Sequence, residues 1–264
     1  MSTDSISLKI DVRRKKILEL LANEGRVHVS SLSKLLGATV VTIRNDLTEL
    51  EKSGQLERIQ GGAIQTKKAY YNLEFEQRKQ ENKLNKKAIA NAATSLIDNG
   101  ETIFINSGTT TYYTAIALKA YKNLNIVTNS IFIALELGDV PTFRVILLGG
   151  EINSQYFFTY GNDAQEQLSM YKADKVILSM DGIGLDTGLT TYHAEEAVIG
   201  RLMMERARQT IIVADSTKLN HESFYSVVPL VRDSYWITDA NAKKHERLQE
   251  DFLAKGVTVV FASN

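Results

Sequence analysis

The 264 residues contain no cysteine, so disulfides and thiolate metal sites are excluded, and the composition fits a reducing cytosol. No run approaches the length of a membrane span, and the polar N-terminus has no apolar core of the signal-peptide kind. The expectation is a cytoplasmic protein with no membrane partner. Internal repeats and low-complexity tracts are missing as well, and so are a Walker loop and a dinucleotide fingerprint. There is no net charge, because 31 Lys and Arg balance 31 Asp and Glu. That balance hides an asymmetry. Residues 1–70 hold 12 basic against 8 acidic side chains, and the remainder holds 19 against 23. A modestly basic head on an acidic body suits phosphate contact by the head alone. The length suits one or two domains with a substantial core.

What is present is concentrated first in Gly37–Leu47, which runs on to Gly61-Gly62-Ala63. Thr39 is a good N-cap, since its hydroxyl can accept from the first free N–H groups of a helix. Ile43, Leu47 and Leu50 then share one face at i, i+4 and i+7, so that face packs inward. Val41, Asn45 and Thr48 fall on the opposite face, with Thr42 and Arg44 on its flanks. Arginine can grip guanine O6 and N7 with two bonds, and asparagine can do the same to adenine N6 and N7. Upstream, residues 13–21 read as a first helix. Ser30 or Ser31 can cap a second helix that carries Leu32, Leu35 and Leu36 inward, and Gly37 ends it. Helix, short turn and helix form a helix-turn-helix. Residues 55–60 and 63–66 read as strands around a Gly61-Gly62 turn, a wing that brings Arg58 near phosphates. The same small leucine core also builds protein-interaction modules, and spacing alone leaves both readings open.

The segment from Arg13 to Ala63 resembles the winged helix-turn-helix of the deoxyribose-operon-repressor (DeoR) family of bacterial regulators. The match runs through Thr42, Ile43, Arg44, Asp46, Leu47, Gly54, Arg58, Gly61, Gly62 and Ala63. It departs at Ala38, Thr39, Asn45 and Gln60. Thr39 keeps the capping hydroxyl, whereas Asn45 removes one cation. The DNA contacts this resemblance implies are Thr39, Val41, Thr42, Arg44, Asn45, Thr48 and Arg58.

Boundaries follow from pattern. Residues 9–66 form the head, and residues 67–82 read as a linker that docks part of its length through Tyr71, Leu73 and Phe75. Residues 83–264 form a larger domain. Seven short apolar runs there (102–105, 124–128, 143–148, 175–180, 210–214, 235–238 and 257–261) alternate with helical stretches at 82–97, 110–121, 131–137, 163–171, 194–207 and 242–254. Such alternation predicts an α/β fold with a mainly parallel sheet covered on both faces. Ligands in these sheets gather outside the carboxyl ends of the strands.

The polar loops fall at those ends. Asn106-Ser107-Gly108-Thr109-Thr110-Thr111 opens a helix, where hydroxyls and free N–H groups favour an anion. An ordinary threonine-capped turn gives the same pattern. Thr128-Asn129-Ser130, Gly149-Gly150, Asp181-Gly182 and Asp215-Ser216-Thr217-Lys218 follow the next strands. Any one of these loops is unremarkable, but five after five strands outline a pocket. His28 and His245 read as surface residues. Glu195 and Glu196 read as helix-start acids, and no catalytic pair or metal cluster stands out. Phe157, Phe158 and Tyr160 read as packing, with the pocket mouth or a subunit contact as the other option.

From about Arg78 to Asp239 the chain resembles the effector-sensing domain of the same family, similar in fold to ribose-5-phosphate isomerase. The matching segments are the Ser107–Thr111 loop, Thr128–Ser130, Gly149-Gly150, Asp181–Ile183, Gly188–Thr191 and Asp215–Lys218. The resemblance implies a phosphate held by Asn106–Thr111, a cation from Lys218 and sugar hydroxyls bound by Asp181. Asn129, Ser130, Gly149, Gly150, Gly182 and His193 complete the expected effector site, with His193 standing where asparagine is common.

The function so implied is sequence-specific transcriptional regulation, as a repressor of a carbohydrate-use operon whose operator affinity is set by a phosphorylated sugar. The partners are double-stranded operator DNA, the effector and further copies of the chain in a dimer or tetramer. No cofactor, metal or catalytic residue is expected. The alternative is a sugar-phosphate isomerase or deaminase fused to a binding module, since fold alone does not fix function.

Overall fold

The computed structural model describes residues 3–24, 26–64, 75–230 and 233–263. They fall into two compact units, one within residues 1–73 and the other within residues 74–264.

Among its described residues the first unit has three helices, α1 (Thr3–Glu24), α2 (Val29–Leu36) and α3 (Val40–Lys52). Its sheet has the order β1-β3-β2, from strands Arg26–His28, Glu57–Ile59 and Gly62–Ile64 numbered along the chain. Ile17, Leu21, Leu32, Ile43, Leu47 and Leu56 are its largest fully buried side chains. Each contributes about 1.5–3 kcal/mol by leaving water, and together they join the helices to the sheet. The first wing strand is shorter than the expected 55–60, residues 65 and 66 of the second lie outside the described residues, and the wing gains the unforeseen β1. Three residues, Arg-Val-His, are too few for an alternating pattern to register.

Helix α2 starts at Val29 rather than after Ser30 or Ser31, and its N-cap is His28, which makes no side-chain capping bond. The reason is the strand before it. His28 still pairs with Gly62, and the Val29 N–H donates to the Gly61 carbonyl at 2.9 Å. The wing's own turn thereby satisfies the first N–H of the helix. Gly62 lies so close to β1 that a Cβ there would stand 2.0 Å from the Val27 carbonyl oxygen.

The second unit is built on a seven-stranded sheet whose strand pairings are all parallel. Its strands are β4 (Thr102–Ile105), β5 (Asn125–Thr128), β6 (Arg144–Leu147), β9 (Ala173–Leu178), β12 (Ala207–Val213), β14 (Ser234–Thr238) and β15 (Val257–Phe261). Each expected apolar run is one strand. Alternate residues face opposite layers. Phe104, Val176 and Trp236 enter one core, and Ile103, Ile105 and Ile177 enter the other. Helices α4 (Phe75–Gln80), α5 (Lys83–Thr94), α6 (Thr109–Leu118), α7 (Ile131–Leu137), α8 (Asn162–Ser169), α9 (Ala194–Glu205) and α10 (Leu248–Ala254) complete the unit.

Three parts differ from expectation. Residues 75–80 of the expected linker are helix α4, because buried Phe75 stacks on Phe132 at 4.3 Å between ring centres. Tyr71 and Leu73 lie outside the described residues. The helix expected over 242–254 is divided into a 3-10 turn at Ala240–Lys244 and α10. Asp239 caps that turn, and Arg247, at φ 61°, interrupts the helical path. Finally, β7 (Glu151–Asn153) and β8 (Phe158–Tyr160) form an antiparallel hairpin. Strands β10 (Gly182–Gly184), β11 (Gly188–Thr191) and β13 (Tyr225–Val228) form a small antiparallel sheet.

The large sheet has the order β15-β14-β12-β9-β4-β5-β6. From β4 the chain moves outward through β5 and β6, and from β9 it moves the other way through β12, β14 and β15. The direction reverses between β4 and β9, and a crevice forms outside the carboxyl ends of strands at such a point.

Candidate functional site

In the first unit, Thr39 accepts from the Thr42 N–H at 3.1 Å and so fixes the start of α3. Ile43, Leu47 and Leu50 bury one face of that helix. Val41, Arg44 and Asn45 are exposed on the other, and Thr42 and Thr48 are half-buried. Arg58 crosses from β2 and donates to Thr48 Oγ1 at 2.9 Å, so the wing cation and the helix share one surface. The seven expected contact residues therefore lie along α3 and the adjoining strand.

Asp46 is the residue whose role the sequence reading missed. It is 2% exposed and accepts from Arg13 at 2.5 and 3.2 Å and from Arg14 at 3.0 Å. One carboxylate thus clamps α1 to α3. The ion pair raises the Arg13 pKa, chiefly through the hydrogen bond to Asp46.

In the second unit a narrow pocket sits at the reversal between β4 and β9. Ser107, Gly108 and Thr109 enter from one strand end, and Ser179, Met180 and Asp181 from the other. The Asn106 side chain holds the two ends together. Its Nδ2 donates to the Ser179 carbonyl at 2.9 Å, and its Oδ1 accepts from the Ser179 N–H at 2.9 Å. Gly108 leads into α6 with no side-chain cap, so the helix opens on the pocket with its first N–H groups uncovered by any capping side chain. A Cβ on Gly108 would meet Ser179 Cβ at 2.7 Å, which explains the glycine.

Phe75 and Arg78 of α4, Tyr156, Thr191 and Glu196 close the pocket. The Arg78 guanidinium lies 3.7 Å from Asp181 Oδ1 and 5.4 Å from the centre of the Tyr156 ring. Asp181 Oδ2 faces the Thr191 hydroxyl at 3.0 Å and accepts from the Tyr192 N–H at 3.1 Å. Burial, reinforced by the Asp181 charge, pushes the Glu196 carboxyl up to about 7. Burial also lowers the His193 pKa. The buried Tyr156 hydroxyl and His193 Nε2 have no hydrogen-bond partner among the described residues. Buried polar atoms of this kind are rare without a ligand or water to satisfy them.

Of the expected effector residues, Ser107, Gly108, Thr109 and Asp181 line this pocket. Others are used elsewhere. Asn129 accepts from the Ser107 N–H at 3.1 Å and donates to the Thr159 carbonyl at 3.1 Å, which leaves it positioning the loop. Ser130 caps α7 through Ile133 N at 3.4 Å. Thr110 and Thr111 are buried in the first turn of α6, where Thr111 bonds back to the Gly108 carbonyl at 2.9 Å. Gly149 donates to Gln167 at 2.9 Å, and Gly150, at φ 133°, lets the chain pass close to the Tyr160 carbonyl. Gly182 begins β10, where a Cβ would collide with the His221 carbonyl. His193 packs against Tyr156 and Tyr192, with ring centres 4.8 and 5.2 Å away.

Lys218 sits in the 3-10 turn capped by Asp215, outside the pocket lining. Asn82 reaches Asp215 Oδ2 at 3.5 Å, and buried Lys86 donates to the Arg78 carbonyl at 2.5 Å. Burial lowers the Lys86 pKa to about 8. Arg78, Tyr156 and Glu196 were absent from the expected site. Phe158 is in the core, as the packing reading had it.

These geometries can be set beside known proteins. The DeoR-like helix-turn-helix model matches residues 13–69, and the DeoR C-terminal sensor-domain model matches residues 81–240.

The chain belongs to the DeoR family.

The transcriptional regulator GolR of Listeria innocua is 31% identical over 250 residues, covering 95% of this chain and 98% of the relative. The glycerol-3-phosphate regulon repressor of Escherichia coli K12 is 31% identical over 233 residues, covering 88% and 92%. The transcriptional repressor GlcR of Bacillus subtilis is 32% identical over 223 residues, covering 84% and 86%. Among solved structures, ribose 5-phosphate isomerase from Plasmodium falciparum overlaps with a TM-score of 0.38 at 19% identity, over 51% of this chain and 52% of that one. The relatives matched across both units are regulators, and the isomerase alternative raised by the sequence is not favoured. Among the described residues of this DeoR-family chain, no helix is long and apolar enough to cross a membrane.

Proposed function

We infer that this DeoR-family chain is a repressor of a carbohydrate-use operon and that a phosphorylated sugar sets its operator affinity. The exposed face of α3 and the wing read the operator. The effector's phosphate lies against the opening turn of α6 beside Arg78, and its hydroxyls lie toward Asp181. Effector binding favours one arrangement of the reading heads, and that difference in affinity shifts DNA binding. The protein works in the cytoplasm as a dimer or tetramer, because a single short reading helix needs paired half-sites for tight binding.

One observation supports the sensing half most strongly. An uncapped helix start, a guanidinium and a buried unpartnered tyrosine hydroxyl converge on one pocket at the sheet's reversal point. A screen of sugar and polyol phosphates by thermal shift tests it, since a ligand that binds only the folded state raises the melting temperature by mass action. Arg78→Ala should weaken the phosphorylated hit by roughly 10–100-fold, the scale of one charge-assisted hydrogen bond. The matching unphosphorylated sugar should lose little. Equal losses for the two compounds would remove Arg78 from the anion site.

A further inference from the structure

The Thr191 hydroxyl stands between two carboxylates, 3.0 Å from Asp181 Oδ2 and 2.8 Å from Glu196 Oε2. A hydroxyl has one proton to donate. If both acids were ionised, one of these contacts would set two oxygen lone pairs against each other. The trio therefore holds one further proton, on one of the two acids. Asp181 is the poorer place for it, because its Oδ2 also accepts the Tyr192 N–H and its Oδ1 faces Arg78. Thr191 donates to Asp181, and Glu196 donates to Thr191.

We propose that Glu196 is a specificity-determining residue that stands in the pocket as a neutral carboxylic acid, and that its neutrality admits an anionic effector. The proposal rests on the sugar-phosphate reading above and deepens it. The charged groups facing Glu196 are few. Asp181 comes from the end of β9, Arg78 from α4 and Glu195 from α9 itself, with Tyr156 and His193 beside them. Glu195 lies outside the pocket lining, so with Glu196 neutral Arg78 offsets Asp181 within that lining and the helix start tips it toward anions. With Glu196 ionised, the wall carries an unbalanced negative charge that repels a phosphate. Burial lowers the His193 pKa, which favours the neutral ring. Glu196 thereby reads the ligand's charge, and a hexose or polyol phosphate binds together with one retained proton.

The test uses the full-length protein, Glu196→Gln and two probes, inorganic phosphate and a hexose 6-phosphate hit from the screen. Glutamine keeps a donor of similar size and removes the titration. A binding event that requires one proton loses up to tenfold in affinity per pH unit above the pKa of the group that holds it. From pH 7.5 to 8.5 the Glu196→Gln affinity should therefore improve about tenfold relative to wild type. Lys86 and the ligand's own ionisation affect both proteins alike and cancel in that ratio. Calorimetry at pH 8 in buffers of different ionisation enthalpy should show wild type taking up close to one more proton per ligand than the variant. A ratio that stays constant with pH, or equal proton uptake, would overturn the role of Glu196 while leaving the sensing reading intact. Failure of either protein to bind any phosphate compound at any pH would overturn that reading and this proposal together. Matched melting temperatures confirm that the variant folds.

Discussion

Replacing Asp46 by alanine should loosen the reading head without touching the sensing unit. Asp46 is 2% exposed and holds three hydrogen bonds from Arg13 and Arg14. A hydrogen bond to a charged group contributes about 1.5–3 kcal/mol, but three on one carboxylate do not add fully. The Arg13 and Arg14 side chains keep 21% and 31% of their exposure, so both regain water once the partner is gone. The stranded-charge penalty that makes a broken buried pair so costly is therefore small here, and the net loss is about 2 kcal/mol. In a domain of this size each kcal/mol lowers the melting temperature by about 4–8 °C, which gives roughly 10 °C for the head. Differential scanning calorimetry with and without a phosphorylated ligand reads this directly, since the ligand labels the sensing unit's transition. Asp46→Asn should fall between wild type and alanine, because the amide keeps one acceptor and loses the charge. A head transition within about 2 °C of wild type would refute the clamp. A variant that melts lower in both transitions would show that Asp46 also supports the second unit.

Gly62→Ala forces a Cβ to 2.0 Å from the Val27 carbonyl and should unseat the wing, costing several kcal/mol and operator binding while phosphate binding persists; circular dichroism melts and a DNA-binding assay check it. Gly108→Ala should lose effector affinity, because the new methyl meets Ser179 Cβ at 2.7 Å, and adding Ser179→Gly should recover part of it. No recovery in the double variant would mean that the strain lies elsewhere. Lys218→Ala should weaken the phosphorylated ligand less than Arg78→Ala does, since Lys218 lies outside the lining and Arg78 within it; a larger loss for Lys218 would reverse that order.

Long apolar signals were readable in the sequence, and short polar ones were not. Helix α3 was legible because the Thr39 cap and the Ile43, Leu47 and Leu50 stripe agree on one start and one buried face. The central strands of the large sheet were legible because strands buried on both faces read as unbroken apolar runs, and the edge strands β6 and β15 because their runs are apolar although partly exposed. Strands β10 and β11 are Gly-Ile-Gly and Gly-Leu-Thr-Thr, with neither alternation nor length to mark them. The N-terminal wing strand β1 is three residues long and depends on Gly62 pressing against it. The opening of α6 was legible as a threonine-rich helix start after a strand, and the structure sets it on the pocket. Arg78 was not, because it sits in a charged stretch that becomes helix α4 only once Phe75 is buried. Glu196 was hidden for a different reason. At a helix start a glutamate is explained by the dipole, and only the fold brings Asp181 and Thr191 across to it. Asn106 and Asn129 show the converse. Their amides are consumed in holding loops, so the residue type pointed to the site while the geometry places them behind it.

The proposed function divides the labour, with one unit reading DNA and the other sensing a phosphorylated metabolite. Fluorescence anisotropy of the operator fragment tests it most directly, with wild type and Arg44→Ala/Asn45→Ala each titrated with the phosphorylated hit. At 1–3 kcal/mol per bidentate contact, base contacts from the exposed pair would supply about 2–6 kcal/mol of discrimination. Wild type should bind the operator with an affinity that the ligand changes. The double variant should lose specific binding and still bind the ligand with unaltered affinity in calorimetry. Retained operator binding in the double variant, or loss of ligand binding along with it, would contradict the division of labour.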